Sequence, residues 1–501
     1  MDSQELIDSE LYNHLDSFRF PLSIAKEECW KQLQTKFTPS VPMLQQRQDD
    51  ILRLRNSKEL VRMYRILDSL KESEKILKNV PKTETETAAE GQIFFQGNDY
   101  KLFNSIPYLI TMIVFLKIWI FPVLGLMTPI LLFITPYILL QTMFGFNITW
   151  DMYIIMMKQL VFGIQGNEPW SLKHGAQLLW TVVSLGQGIV QPFFTSHHTA
   201  KLDAAIIQRG EALLNIHAAL QKIHSICKSM NIMSDCPLQI PDIPSEIREA
   251  VAWMNDEPLG MKILWTLLGR YTILITLAHD DTWKPVEWTT NTLQLTELCD
   301  LAIQEPITSD VDIKGHCLLT GPNRGGKSSA LRAILQQVIL GQTFGFTRYA
   351  TGSWNPFYKI HSRLKSRDTS GKESLFEMEV RNASRMIHSV KSVQLPALIL
   401  IDELFHSTNP PDAETSAKVF LNQLWKLEHA KSIISTHIFS LCESPPRGIY
   451  TLCCPAFENK DGSIDYTYMI QDGVCCVSSV NEVLREAGLY PASGLYDNNT
   501  A

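Results

Sequence analysis

Charge is in short supply in this chain. Charged residues make up 19% of its 501 positions, against roughly 25% in an average soluble domain, and the formal net charge is −7. That balance argues against a globally basic nucleic-acid binder, although it leaves room for a local basic patch. Cysteines at metal-ligand spacing are missing too. Of the ten cysteines, Cys453-Cys454 and Cys475-Cys476 are adjacent pairs in strand-like runs, where neighbouring side chains point to opposite faces. A chain this long is no disulfide scaffold, so reduced, buried thiols in a cytosolic compartment are expected. The opening Met1-Asp2-Ser3-Gln4-Glu5 is acidic and lacks the cationic and apolar regions of a cleavable signal, so none is expected. At this length there is room for two or three domains, each with its own core.

What is present is most informative at Gly321-Pro322-Asn323-Arg324-Gly325-Gly326-Lys327-Ser328, which fits the pattern G-x-x-x-x-G-K-[ST]. Cys317 to Thr320 reads as a short buried strand ahead of it, and Ser329 to Gly341 reads as a helix behind it. A glycine-rich turn between strand and helix points several backbone N–H groups at one spot, at the positive end of a helix dipole. Triphosphate oxygens sit there, Lys327 reaches the β- and γ-phosphates, and the Ser328 hydroxyl ligates magnesium. Gly321 to Gly326, Lys327, Ser328 and Ser329 are therefore the expected ATP-binding residues.

Downstream, Pro396 to Glu403 is an apolar strand ending in two acids, which a nucleotide hydrolase needs opposite its phosphate loop. Asp402 would hold magnesium through water, and Glu403 would orient and polarise the attacking water as general base. Ile433-Ile434-Ser435-Thr436-His437 is a second apolar strand. Its terminal histidine can contact the γ-phosphate or the attacking water. Gly371 to Glu379 is a Gly-led turn ahead of a helix; Ser374 there serves as an N-cap, touches a phosphate, or does both.

The other unusual stretch is apolar. From Leu102 to Trp150 the only side chain charged at neutral pH is Lys117, which can snorkel or pair. A helix needs about 20 apolar residues to cross a bilayer. The stretch therefore reads as two spans, near Asn104–Phe121 and Leu126–Phe146, with a turn around Pro122-Val123-Leu124-Gly125. Buried core helices are the alternative, but these are rarely apolar on every face for so long. Pro107, Pro122, Pro129 and Pro136, with an apolar turn, keep open a hairpin that dips into one leaflet and returns. Either way both ends lie on one side, with the nucleotide site facing the ATP-containing cytosol. Ser171 to Gln191, interrupted by Lys173, His174 and three glycines, reads as a packed or interfacial helix. Lys201 to Met230 is amphipathic at helical spacing.

Residues 1–80 read as a polar helical region, 81–101 as a linker, 102–150 as the transmembrane hairpin, 151–290 as a helical domain, 291–492 as the ATPase domain and 493–501 as a tail. The wording of the last domain resembles the MutS-type ATPases, a branch of the ABC/SMC-like P-loop NTPases. The likeness runs through Thr320 to Ser329, then Leu400-Ile401-Asp402-Glu403-Leu404, then Ser407, Thr408 and Asp412, then Ser435-Thr436-His437, and also Tyr468 to Gly473. It is specific over about 290–490 and weaker over 200–290, which would correspond to lever or core helices. The resemblance implies an α/β fold and ATP with Mg2+ as cofactors. It implies that Asn323 and Lys327 contact phosphates, that Ser328 and Asp402 handle magnesium, and that Glu403 and His437 serve hydrolysis. It implies a homo- or heterodimer in which Ser374 reaches the partner's nucleotide and Asp412 lies near the interface, forming an ATP-gated clamp on mismatched or branched DNA.

The departures are equally specific. Arg324 stands where the family usually has methionine, and Phe405 to Pro411 replaces its commoner Gly-Arg-Gly-Thr-Ser-Thr run. No Phe-x-Glu wedge occurs in the first 300 residues; in mismatch-repair members that phenylalanine stacks on the mispaired base. Two expectations stand side by side: a membrane-tethered DNA clamp, and a membrane tethering or remodelling ATPase that does not bind DNA. A transporter ATPase is disfavoured, because the Leu-Ser-Gly-Gly signature is absent and one hairpin is too little membrane for a pathway.

Overall fold

The computed structural model describes residues 3–489 apart from 79–90, 92, 96, 98, 163–171, 233–237, 290–291, 365–374, 406, 444 and 460–462. The chain forms two compact units. The first comprises Met1–Asp68, Ile223–Leu238 and Thr266–Ala501; the second comprises Ser69–Lys222 and Gln239–Trp265.

The first unit is built on a six-stranded sheet. Its strands are β1 (His316–Thr320), β2 (Lys359–Arg363), β3 (Ala397–Ile401), β4 (Ala430–Ser435), β5 (Ile449–Cys453) and β6 (Gln471–Asp472), in the order β6-β5-β1-β4-β3-β2. All neighbours run parallel except β6, which is antiparallel to β5. Every residue of β1 and of β3 is buried, as expected of parallel strands covered on both faces and written as continuous apolar runs. Helices α1 (Lys327–Phe344), α2 (Leu375–Val393) and α3 (Pro410–Leu424) connect the strands. Leu318, Ile399, Ile401, Phe405, Leu421 and Ile434 share one core. A four-stranded sheet of Glu287–Trp288, Thr351–Trp354, Leu293–Leu298 and Ser309–Ile313 lies in the same unit.

The N-terminal helices join this unit rather than standing apart from it. Gln48, in helix Val41–Arg55, donates from Nε2 to Val286 O at 2.7 Å and to Gly345 O at 2.6 Å. Asp8 Oδ2 accepts from Ser362 Oγ at 2.7 Å and from Leu364 N at 3.0 Å. Helix Ser3–Ser9 thereby covers the outer edge at β2, a row of backbone groups that would otherwise invite pairing with another chain.

In the second unit, the expected break at Pro122–Gly125 does not occur. Leu109–Thr142 runs as one helix of 34 residues, in which a π turn at Leu116–Ile120 precedes segment Phe121–Thr142. Pro122 sits in the first turn after that π turn, where the irregular hydrogen-bond ladder removes the usual cost of its missing N–H. The hairpin is formed instead with the long helix Leu172–Ser229, whose residues up to Lys222 belong to this unit. Ser196 Oγ donates to Ile118 O at 2.8 Å. A Cβ on Gly125 would lie 2.8 Å from Pro192 Cγ and 3.5 Å from Gly188 O. Partner numbers fall as the first limb's rise, so the limbs are antiparallel. Trp150–Phe162 forms a third, shorter helix. It packs its first turn on the first limb, with Trp150 and Tyr137 edge to face at 4.7 Å.

Among the described residues, two helices are long and apolar enough to cross a membrane by length and composition. Leu109–Thr142 is 22% buried over its most apolar window, whereas Pro258–His279 is 61% buried and is accounted for as a core helix.

Candidate nucleotide site

The site begins where β1 ends. Gly321 has φ +146° and Gly326, the residue before α1, has φ +95°, conformations that glycine adopts without the Cβ clash other residues meet. A Cβ on Gly321 would also sit 2.9 Å from Cys454 O. Lys327 is buried, and its Nζ donates to Gly321 O and Pro322 O at 2.9 Å each. Its ammonium is thus folded back over the start of the loop. Burial lowers its pKa from the usual lysine value, an effect opposed by the nearby Asp402 and Glu403 carboxylates. Asn323 and Ser328 are exposed along the loop. Arg324 has φ +66° and donates to Glu486 Oε2 at 2.6 Å.

Sheet order brings the acids to this loop. Because β4 lies between β1 and β3, the ends of all three strands converge. Ser328 Oγ donates to Asp402 Oδ2. Ser435, the last residue of β4, donates from Oγ to Asp402 Oδ1 at 2.5 Å and accepts from Glu403 N at 2.8 Å. Asp402 N donates to Arg363 O at 2.9 Å, tying the acid to the end of β2. His437 Nε2 lies 3.3 Å from Glu403 Oε1. Two carboxylates, two hydroxyls, a lysine and a histidine therefore meet at one end of the sheet. Ser328 and Asp402 form an oxygen donor set of the kind a hard divalent cation takes.

A cavity of about 550 Å³ opens over the loop, a size that suits a small-molecule ligand. Residues Pro322 to Ser329 line it with Glu403, and its apolar wall includes Ile303, Ile307 and Tyr468. These three are large, partly exposed side chains beside a phosphate-type loop, suited to the flat face of a nucleobase. Sequence reasoning singled out neither this wall nor Ser435 as site residues. For Ser435 a signal existed: a hydroxyl at the end of an otherwise apolar strand. For Ile303 and Ile307 there was none, since isolated loop isoleucines carry no pattern.

Two further residues were expected to act toward a partner chain rather than in this cavity. Ser374 lies outside the described residues. Asp412 is exposed in the first turn of α3, where its N–H donates to Asn409 Oδ1 at 3.0 Å and its Oδ2 accepts from Asn409 Nδ2 at 2.7 Å. It is not among the residues that line the cavity. The loop after β3 is tied elsewhere: Ser407 Oγ donates to Glu379 Oε2 at 2.8 Å, and Arg363 pairs with Glu379 Oε1 at 2.5 Å.

Residues 317–493 match the family model of MutS domain V. The chain is 26% identical over 323 residues to the DNA mismatch repair protein MSH1, mitochondrial, of Arabidopsis thaliana, covering 62% of this chain and 27% of that protein. It is 30% identical over 176 residues to the DNA mismatch repair protein MutS of Streptococcus mutans, covering 34% of this chain and 20% of that protein. Against MutS of Leuconostoc mesenteroides it is 29% identical over 191 residues, covering 37% and 22%. The matched stretch thus spans about a quarter or less of these relatives' lengths.

Proposed function

We propose, starting from a chain that belongs to the MutS family through its C-terminal domain, that residues 291–492 bind and hydrolyse ATP with magnesium and act as a dimeric ATP-gated clamp. The observation that carries this reading is the meeting of Lys327, Ser328, Asp402, Glu403 and Ser435 at one end of the sheet. Backbone N–H groups of the loop and the start of α1 would receive the β- and γ-phosphates. Lys327 would exchange its loop carbonyls for phosphate oxygens, a short movement for a side chain already among them. Ser328 and Asp402 would hold Mg2+, which supplies charge neutralisation on the phosphates. Glu403 would take the proton from the attacking water, with His437 beside it orienting that water or meeting the γ-phosphate. Ser435 fixes Asp402 and the Glu403 backbone relative to each other.

The relatives' names support action on DNA in mismatch repair, and this is the first reading of the clamp's target. A second reading is favoured by a specific observation. The second unit exposes Leu131, Ile138, Trp119 and many other large apolar side chains on its long helices, which fits a membrane tether with the ATPase on the cytosolic side. In that reading the machine tethers or remodels membrane and binds no DNA. Filter binding with mismatched, branched and plain duplexes, with and without ATP, separates the two. Absence of binding at low salt, where phosphate contacts are strongest, removes the DNA reading. Absence of magnesium-dependent phosphate release from the full chain removes the ATPase reading itself.

A further inference from the structure

The apolar helical arm carries polar boundaries at matching levels on both limbs. On the first limb no Asp, Glu, Lys, Arg or His occurs between Lys117 and Asp151; on the returning limb none occurs between His174 and His197. The two stretches are co-registered by the structure, since the Ile118–Ser196 hydrogen bond puts Lys117 and His197 at one level. Counting equally along both limbs from that contact reaches Thr142, the last residue of one helix, and Leu172, the first of the other. At 1.5 Å per residue, Ile118 to Thr142 measures about 36 Å. The hydrocarbon core of a bilayer is about 30 Å thick.

Aromatic side chains gather at both ends of this length, as they do at the two faces of a bilayer. Trp119, Phe121, Phe193 and Phe194 are exposed near the proximal end. Tyr137, Trp150 and Tyr153 form a cluster at the distal end. Beyond them, Asn147 is exposed, and residues 145–149 have no regular backbone ladder. A hairpin confined to one leaflet would leave the Asn147 amide and those backbone groups in hydrocarbon, where each unsatisfied group costs several kcal/mol.

We propose that the paired limbs Leu109–Thr142 and Leu172–His198 cross a bilayer completely, with the loop Met143–Thr149 in water on the far side from Lys117 and His197. This rests on the membrane reading above and goes further by fixing the topology. The test uses the full chain with Cys236 and Cys476 replaced by serine; among the described cysteines Cys476 alone is exposed. Asn147→Cys is inserted into preformed phosphatidylcholine vesicles, and a membrane-impermeant maleimide is either entrapped inside or added outside. Lumenal reagent is expected to label Asn147→Cys at least tenfold faster than external reagent, while a Tyr100→Cys control shows the reverse. Thr149→Cys reports on the same loop should Asn147→Cys fail to insert. Protein that floats with the vesicles but resists lumenal labelling overturns the crossing. Protein that does not float, and is labelled from outside, overturns the membrane reading instead.

Discussion

Arg324, in the loop Gly321–Ser328, donates to Glu486 Oε2 at 2.6 Å and so ties the mouth of the cavity over that loop to helix Val480–Glu486. The guanidinium is thereby held by a carboxylate beside the place where a triphosphate would lie. Glu486→Gln frees this cation and is expected to tighten ATP binding about three- to tenfold, more at low salt than at high salt. Arg324→Met is expected to weaken binding by a similar factor and to cancel the effect of Glu486→Gln in the double variant. Titration calorimetry at two salt concentrations reads this directly; additive effects of the two changes would show that the pair does not act at the nucleotide.

Glu403→Gln keeps the shape of the side chain but removes the base. Phosphate release is expected to fall by about 10² to 10⁴, with ATP affinity changed less than threefold. His437→Asn should lower turnover less, by about tenfold, because His437 meets Glu403 at 3.3 Å without replacing it. Ordinary turnover in Glu403→Gln would reject the general-base role.

Ser435→Ala deletes a hydroxyl that donates to Asp402 and accepts from Glu403 N. Leaving a part-buried N–H and carboxylate without this partner costs about 1–3 kcal/mol, to be read by denaturant unfolding. The magnesium concentration for half-maximal ATPase should rise as well, since Asp402 is freed to turn away from Ser328. Threonine at this position restores the hydroxyl and should recover the magnesium response; a variant destabilised but unchanged in that response would make Ser435 purely structural.

His316 opens β1 next to β4, with Nδ1 2.9 Å from Ser432 Oγ. Burial pushes its pKa down from 6.5 to about 4. The unfolded chain therefore takes up this proton before the folded one does. Stability from this group is full above about pH 6.5 and is lost as pH falls toward 4, by up to about 3 kcal/mol. His316→Gln should flatten that part of the unfolding-versus-pH curve; an unchanged slope between pH 6.5 and 4 would place the effect elsewhere.

Local pattern was enough for the parts of the site that are continuous in the chain. The loop Gly321–Ser328, the strand leading into Asp402-Glu403 and the strand leading into Ser435 were legible because each is a short run with its own periodicity and punctuation. Asp412 was less so. Its expected place near a dimer interface came from wording alone, and within the single chain its N–H donates to Asn409 Oδ1. The apolar stretch was legible as apolar, but its partner was not. Proline at 122 suggested a turn, whereas the π turn at Leu116–Ile120 lets the helix continue to Thr142.

The sequence by itself determined the chemistry on offer: a glycine-rich phosphate-type loop, two acids, a histidine and a long uncharged segment, all set by residue identity and near-neighbour spacing. Tertiary structure alone decided the arrangement. It put β4 between β1 and β3 so that Ser435 bridges the two acids, and it laid Asp8 and Gln48 onto the α/β unit. It also paired Ile118 with Ser196 rather than with a residue of the segment just ahead. Each of these contacts joins residues far apart in the chain. Strand order and helix register at that range follow from which apolar faces bury each other best, a property of the whole fold that local periodicity does not contain.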